Sequence, residues 1–458
     1  MSTDSAREGP RLRRVLSLSD LIIYGIMVIT PMAPMTFYGV LSRRAGGHAT
    51  TCILLAMIAM AATAVSYGRM ARVYPSAGSA FTYVGGELRP LLGYLTGWSI
   101  AMDYMLAPVI GVIYAAQQSH VLVPQVPYVV WAVLFAVLLT GCCLQGIKIT
   151  SRMNGLFTSV MGLVVVAFFV AALIYLTHQG SHGPGFFTHP LYDPDSWSLG
   201  GILGGTSLAV LAYLGFDGIS TLSEEAKRPD DVLPATVLTC VAIGLLSALE
   251  VYAAQLIWPR TEGYPDIDTA FSYVAGRAWT PLFAAVGLAL IVGSVGSGMG
   301  GQIAAARLLY SMGRGGALPK TFFAAIDPRH RIPRNNVLLL GALGLALALI
   351  LPAIAGEATG FELASNLINF GALIAFMGVN AAAFTRFYLR APEKKLINNV
   401  VPALGFLVCL LIWCNLALQA RILGAAWMAV GLCYGAWKTR GFRAGIVEFN
   451  FTSEGKNP

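Results

Sequence analysis

AYLGFDGISTLSEE, residues 212–225, decides how this chain is read. It falls in an apolar run that begins near Leu199 and is long enough to cross a bilayer, which takes about 20 apolar residues. A spanning helix bonds its backbone to itself. An aspartate at its centre costs about 2.5–3.5 kcal/mol on insertion scales. Here Gly215-Phe216-Asp217-Gly218 interrupts the run, and Glu224 and Glu225 end it. Such a break is tolerated only where protein or a wet cavity surrounds it. A second break lies in GIMVITPMAP, residues 25–34, which carries two prolines. Together the two breaks predict a binding site made of opened backbone.

Composition agrees with a membrane setting. Of 458 residues, 56% are hydrophobic and only 11% charged, with a mean hydropathy of +0.69. Soluble domains carry about 25% charged residues. The seven cysteines lie in apolar stretches without CxxC or framework spacing, so they read as structural thiols. The first apolar segment follows four arginines but lacks the short apolar core and small-residue cleavage site of a secretory signal.

Twelve spans are expected, at residues 18–41, 48–70, 91–117, 128–146, 154–176, from 199 through the opening stretch, 232–258, 281–310, 336–354, 362–388, 400–418 and 422–437. With the N-terminus inside, 25 of the 30 Lys and Arg fall on the cytoplasmic side. That asymmetry sets both termini in the cytoplasm and accounts for the +8 charge without nucleic acid. The broken spans are the first and the sixth. The sixth lies five spans on from the first, an odd offset, so the two halves have opposite orientations. This is the pattern of an inverted five-helix repeat with a site near the midplane. The chain divides into a tail (1–17), a first repeat (18–177), an external loop (178–198), a second repeat (199–390), two extra spans (391–437) and a cytoplasmic tail (438–458). The fold class is all-α and polytopic.

Five stretches taken in order resemble the amino acid–polyamine–organocation (APC) transporters. They are GIMVITPMAP, SYGRMARVYPSAGSAFTYV (66–84), GWSIAMDYMLAP (97–108), AYLGFDGISTLSEE and ARLLYSMGRGGALP (306–319). MDYMLAP and NLINFGALIAFMGVN (366–380) are most similar to bacterial putrescine importers. The resemblance implies a LeuT-like fold and a permease of the inner membrane. Some proton-coupled relatives carry a lysine in the fifth span where others hold sodium. Aligned on Arg152–Asn154, that position here is Met161, so lysine-based coupling does not carry over.

Several residues are singled out, each against a blander reading. Gly215, Phe216 and Asp217 offer free backbone groups and an acid; the competing role for Asp217 is a helix cap that only holds the bend. Tyr213 precedes them. Asp103 lies mid-span, and an intramembrane acid is a functional hypothesis by default. Tyr104 beside it offers an aromatic face to a cation. The competing role for Asp103 is interhelical glue. Trp98 reads as packing. Ile26, Met27, Ile29 and Thr30 form a site wall. The resemblance associates this position with a glycine-rich run that binds a carboxylate, and this chain lacks one. Asp217, Asp103, Ser294 and Ser297 are candidates for ion or proton coupling. Arg69 or Arg72, with Glu224 and Glu225, are candidates for an inner gate; a solvated loop is the alternative.

Other motifs lead nowhere. Gly296–Gly301 matches GxGxxG but sits inside an apolar span, where a strand–turn–helix is impossible and small residues serve close packing. His178, His182 and His189, near Asp193 and Asp195, lie among glycines and a proline and read as a solvated loop; no metal site is expected. The Asn450 sequon falls on the cytoplasmic side.

The sequence therefore points to a secondary active transporter for a small organic amine, putrescine-like or an amino acid. Its driver is a proton or sodium gradient, with no cofactor and no obligate protein partner. The lipid bilayer and the small substrate are its partners. An exchanger of neutral or cationic amino acids is the alternative. A membrane-embedded enzyme is disfavoured because HExxH, GxSxG and paired His–Asp in spans are absent. A channel is disfavoured because no filter repeats by symmetry.

Overall fold

The computed structural model describes residues 16–441 apart from 76–77, 146, 181–182, 224–225, 260–262, 328–331 and 356. Its helices, in order, are α1 (Leu18–Ile29), α2 (Tyr38–Arg44), α3 (Ala49–Val73), α4 (Ser79–Glu87), α5 (Pro90–Leu122), α6 (Tyr128–Leu144), α7 (Ile147–His178), α8 (Leu199–Ala209), α9 (Phe216–Thr221), α10 (Val232–Ile257), α11 (Ala270–Ala278), α12 (Pro281–Arg314), α13 (Lys320–Phe323), α14 (Arg334–Ala355), α15 (Glu357–Phe384), α16 (Leu396–Cys414) and α17 (Leu418–Lys438). No strand occurs among the described residues; an isolated bridge joins Leu16 to Ala226.

Among the described residues, ten helical stretches are long and apolar enough to cross a membrane. The expected fourth span is the shorter α6, and the expected twelfth corresponds to α17. Burial sorts the spans into centre and perimeter. In α5, 78% of the spanning window is buried, against 22% in α16. The exposed residues of α6, α7 and α16 are Val133, Val137, Leu163, Leu173, Leu407 and others of their kind, as lipid contact demands.

Small residues bring the central helices together. A Cβ on Gly111 of α5 would lie 2.6 Å from the Ser294 carbonyl of α12, and one on Gly301 would lie 2.4 Å from the Ala107 side chain. The glycine run of α12 therefore serves helix packing, as its place in the sequence indicates. Trp98 stacks on Trp427 at 4.9 Å, and each indole N–H donates to the other's backbone carbonyl at 2.9 Å. That tryptophan belongs to the α5–α17 contact.

The described part of the 178–198 loop is mostly exposed, as expected, with His178, His189 and Asp195 among its exposed residues; of the acids and histidines described there, Asp193 is the exception. Asp193 is buried, and its N–H donates to Nε2 of the buried His48 at 3.0 Å. Asp195 turns its own N–H onto the Asp193 carboxylate, and His178 bonds back to the Ile174 carbonyl of α7. His182 and Asn450 lie outside the described residues.

Candidate substrate site

Both predicted breaks are present, and each has a backbone cause. α1 stops at Ile29. Thr30 takes φ 66° and ψ 130°, a sparsely populated conformation for a β-branched residue. Pro31 follows it and disfavours the helical region for the residue before. A 3-10 turn, Ala33–Thr36, leads into α2. In the sixth span the helix loosens before the glycine. α8 ends at Ala209, a 3-10 turn covers Val210–Tyr213, Leu214 is extended and Gly215 has φ 115°. Only glycine adopts that φ without strain. α9 then restarts for six residues, with Asp217 in its first turn.

The breaks meet. A Cβ on Gly215 would lie 2.7 Å from Val28 Cγ1 and 3.4 Å from the Ile29 nitrogen. The wall residues Ile29 and Thr30 are buried here, while Ile26 and Met27 are half-buried. Behind the junction Phe216 packs at 5.6 Å on Tyr67 and 5.2 Å on Phe376.

Asp217 is buried, and each of its oxygens accepts a hydrogen bond. Its Oδ2 accepts from the Tyr104 hydroxyl at 2.8 Å, and its Oδ1 accepts from the Gly215 N–H at 3.3 Å. It thus holds the bend and faces α5 at once. Below it the Ser220 hydroxyl donates to the Asp217 carbonyl at 2.6 Å and lies 2.8 Å from the Ser79 hydroxyl of α4.

Asp103 sits one residue before Tyr104 and is buried. It lies where α5 crosses α15. A Cβ on Gly371 would be 3.3 Å from its nitrogen, and Ser99 donates to the Gly371 carbonyl at 2.8 Å. Tyr104 links the two acids, following Asp103 in the chain and bonding Asp217 through its hydroxyl. The structure therefore brings together two acids, a tyrosine and two opened backbones.

Other candidates are placed elsewhere. Tyr213 turns away and donates to the Ile53 carbonyl of α3 at 2.7 Å. Ser294 is buried against α5, whereas the Ser297 side chain is exposed. Met161 fills the space beside Gly293, its sulfur 2.7 Å from where a Cβ would stand. Arg69 donates to Asn398 Oδ1 at 2.8 Å and lies over the Phe387 ring at 4.2 Å. Its proposed partners Glu224 and Glu225 lie outside the described residues. Arg72 pairs with Asp230 at 2.6 Å.

Three acids escaped the sequence reading. Glu87 of α4 is buried and takes Arg386, Arg390 and the Tyr74 hydroxyl, at 3.4, 2.8 and 2.7 Å. Glu362 of α15 pairs with Arg44 at 3.4 Å and Arg43 at 3.6 Å, tying α2 to α15. Glu250 of α10 is buried with no hydrogen-bond partner among the described residues. Each was visible as a charge in or beside a span. Nothing in the spacing tied it to a partner.

Two broken helices meeting over buried acids within a helical bundle define a LeuT-type secondary transporter. The fold matches the crystal structure of a mutant of the Eremococcus coleocola manganese transporter, with TM-score 0.55, over 92% of this chain and 95% of that one. At 11% identity that likeness is one of fold. The amino acid permease family model matches residues 20–441, and this chain belongs to that family. It is 34% identical to the low-affinity putrescine importer PlaP of Escherichia coli K12, over 96% of each chain. It is 26% identical to the branched-chain amino acid permease BcaP of Lactococcus lactis, over 92% of this chain and 93% of the other. It is 28% identical to the vacuolar cationic amino acid transporter 4 of Arabidopsis thaliana, over 83% of this chain and 65% of the other. The chain is a membrane permease and not an enzyme.

Proposed function

We propose that this permease imports a small organic amine, with putrescine-like diamines ahead of amino acids, by alternating access driven by a proton gradient. The observation that carries this is the pair of buried acids at Tyr104, Asp103 beside it in the chain and Asp217 bonded to its hydroxyl. Two carboxylates in one low-dielectric site repel each other, and a protonated amine relieves both. Asp217 also occupies the Gly215 N–H, a donor that a substrate carboxylate would seek at a half-helix start. An amino acid would place its own carboxylate beside that of Asp217. The similarity to a putrescine importer supports the same ranking. With amine bound, both acids are ionised partners of the substrate, which leaves the coupling proton to another group.

In this reading both termini are cytoplasmic and the protein sits in the inner membrane. Substrate enters from outside to the junction of α1, α9, α5 and α15, and rocking of one repeat on the other releases it inside. The test is uptake of radiolabelled putrescine, arginine, leucine and glutamate into proteoliposomes, with and without an inward proton gradient. Saturable putrescine uptake is expected. Asp103→Asn or Asp217→Asn lowers it tenfold or more. Uptake intact in both variants refutes the site, and uptake of none of the four refutes the substrate class.

A further inference from the structure

Glu250 lies in α10, outside the acidic site. It is completely buried, and neither Oε1 nor Oε2 has a hydrogen-bond partner among the described residues. Two other buried side chains of α10 share that state, the hydroxyls of Thr239 and Ser247. At 3.6 residues per turn, positions 239, 247 and 250 fall within about 80° of one another. Thr239 gives the direction of this stripe. A Cβ on Gly25 would lie 2.8 and 2.9 Å from its side-chain atoms, so the Thr239 end of the stripe faces the first half of the broken first span. α10 also packs on α3, through Thr236 bonded to the Ala64 carbonyl, Gly244 against Met57 and Gln255 bonded to Thr50, positions about 40–140° round the helix from Glu250, so the carboxyl lies at the edge of that contact.

Among the described residues no countercharge reaches Glu250. The titratable groups on the surrounding elements are engaged elsewhere. Tyr213 donates to Ile53, and the Cys52 thiol of α3 to the Ile202 carbonyl. Asp217 of α9 is held by Tyr104, and Arg277 of α11 by Tyr175 of α7. The Tyr67 ring of α3 packs among Phe216 and Phe376. Arg69 donates to Asn398, Arg72 pairs with Asp230 and Arg228 with Asp231, Asp20 caps α1 at Ser17, and the Tyr252 hydroxyl of α10 donates to the Phe187 carbonyl. Tyr24 of α1, Tyr273 of α11 and Cys240 of α10 lie on the same elements, and none bonds the carboxyl. A carboxylate without donor or countercharge is not tolerated in such a setting, whereas a carboxylic acid is.

We propose that Glu250 binds the proton that moves with the substrate. This rests on the proton-driven reading above. When the outer half of the first span moves away, the carboxylate takes a proton from external water and becomes a neutral acid. Closure buries it in the state seen here. When α1 then withdraws on the inner side, water reaches along Ser247 and Thr239, and the acid returns its proton to the cytoplasm. A sodium ion fits the place poorly. It needs several oxygen ligands at once, and Thr239 is about 16 Å away along the axis.

The experiment uses the full chain in liposomes and two assays. Counterflow of labelled putrescine needs only the substrate site. Accumulation against a gradient, with internal pH followed by a trapped dye, needs coupling. Glu250→Gln, the isostere of the protonated acid, is expected to exchange substrate while accumulation falls tenfold or more. Substrate-induced proton entry should vanish, and the dependence of uptake on external pH should flatten. Glu250→Asp should restore proton entry. Proton entry in Glu250→Gln equal to wild type overturns the proposal. So does accumulation driven by sodium alone, or loss of counterflow together with accumulation in a variant that reconstitutes normally, which makes the residue structural. A wild type silent in putrescine counterflow refutes the amine reading instead. The same arms are then run with whichever of arginine, leucine or glutamate exchanges.

Discussion

Asp217 divides its two oxygens between holding a bend and meeting a neighbour. Oδ1 fixes the Gly215 N–H, and Oδ2 takes the Tyr104 hydroxyl. The second bond crosses from α9 to α5, so it senses whether those helices are together. Tyr104→Phe removes that donor and leaves the ring. The loss is about 1 kcal/mol for a net hydrogen bond, or roughly fivefold in apparent affinity. Uptake kinetics should show KM for the amine raised by about that factor, with the maximum rate changed less. The acids themselves were legible as charges inside apolar spans. The Tyr104–Asp217 bond was not, because residues 113 positions apart in sequence meet only through helix crossing.

At the scale of elements, the sixth span shows how far a pattern reaches. Its glycine and aspartate announced a break near 215–218, and Gly215 does carry the positive φ. The unwinding begins earlier, over Val210–Tyr213, where no glycine or proline marks it. Those residues are apolar in an α-helix and in a 3-10 turn alike, so composition could not separate the two. Gly215→Ala tests the junction. The new methyl would need a φ that costs about 1–3 kcal/mol, and it would also meet Val28 Cγ1 at 2.7 Å. Transport should fall tenfold or more while the protein still elutes as a monodisperse species. Gly344→Ala in α14, where nothing lies within 4 Å, should transport like wild type. Equal activity in the two variants contradicts a tight α1–α9 junction.

Across the whole molecule, ion pairs tie helices together at both ends of the bundle. Arg43 and Arg44 of α2 reach Glu362 of α15 at one end, and Arg72 of α3 reaches Asp230 at the other. On the Glu362 side, the loop before α11 places Asp268 against α5, where Gln117 Nε2 donates to Oδ2 at 3.2 Å. Burial pushes the Asp268 carboxyl up from 3.8 to about 7; Asp266 acts in the same direction, and the Gln117 bond opposes it. A raised acid stabilises the folded state when protonated. That contribution is complete below pH 3.8 and is lost as pH rises through about 7. Thermal stability in detergent should therefore decline from pH 5 to 8 relative to Asp268→Asn, which lacks the titration. Hydrogen exchange over residues 263–278 should quicken over the same interval. A wild-type profile parallel to that of Asp268→Asn counts against the assignment.

The sequence by itself determined the membrane class, the order of the spans, the two breaks and the acids inside them. Those follow from constraints local to the chain. A span must be long and apolar, its backbone must bond to itself, and each glycine, proline or aspartate that violates this stands out against the background. Tertiary structure alone decided which groups meet. It set Gly215 on Val28 and Ile29, turned Tyr213 onto Ile53, gave Arg69 to Asn398 and left Glu250 with no hydrogen-bond partner among the described residues. The physical reason is that a central span is apolar nearly all round, because lipid and protein interior solvate it alike. Its sequence therefore does not say which face turns inward. That rotation is set by close packing at small residues, such as Gly111 against Ser294 or Gly371 against Ser99, and it exists only once the helices have been brought together.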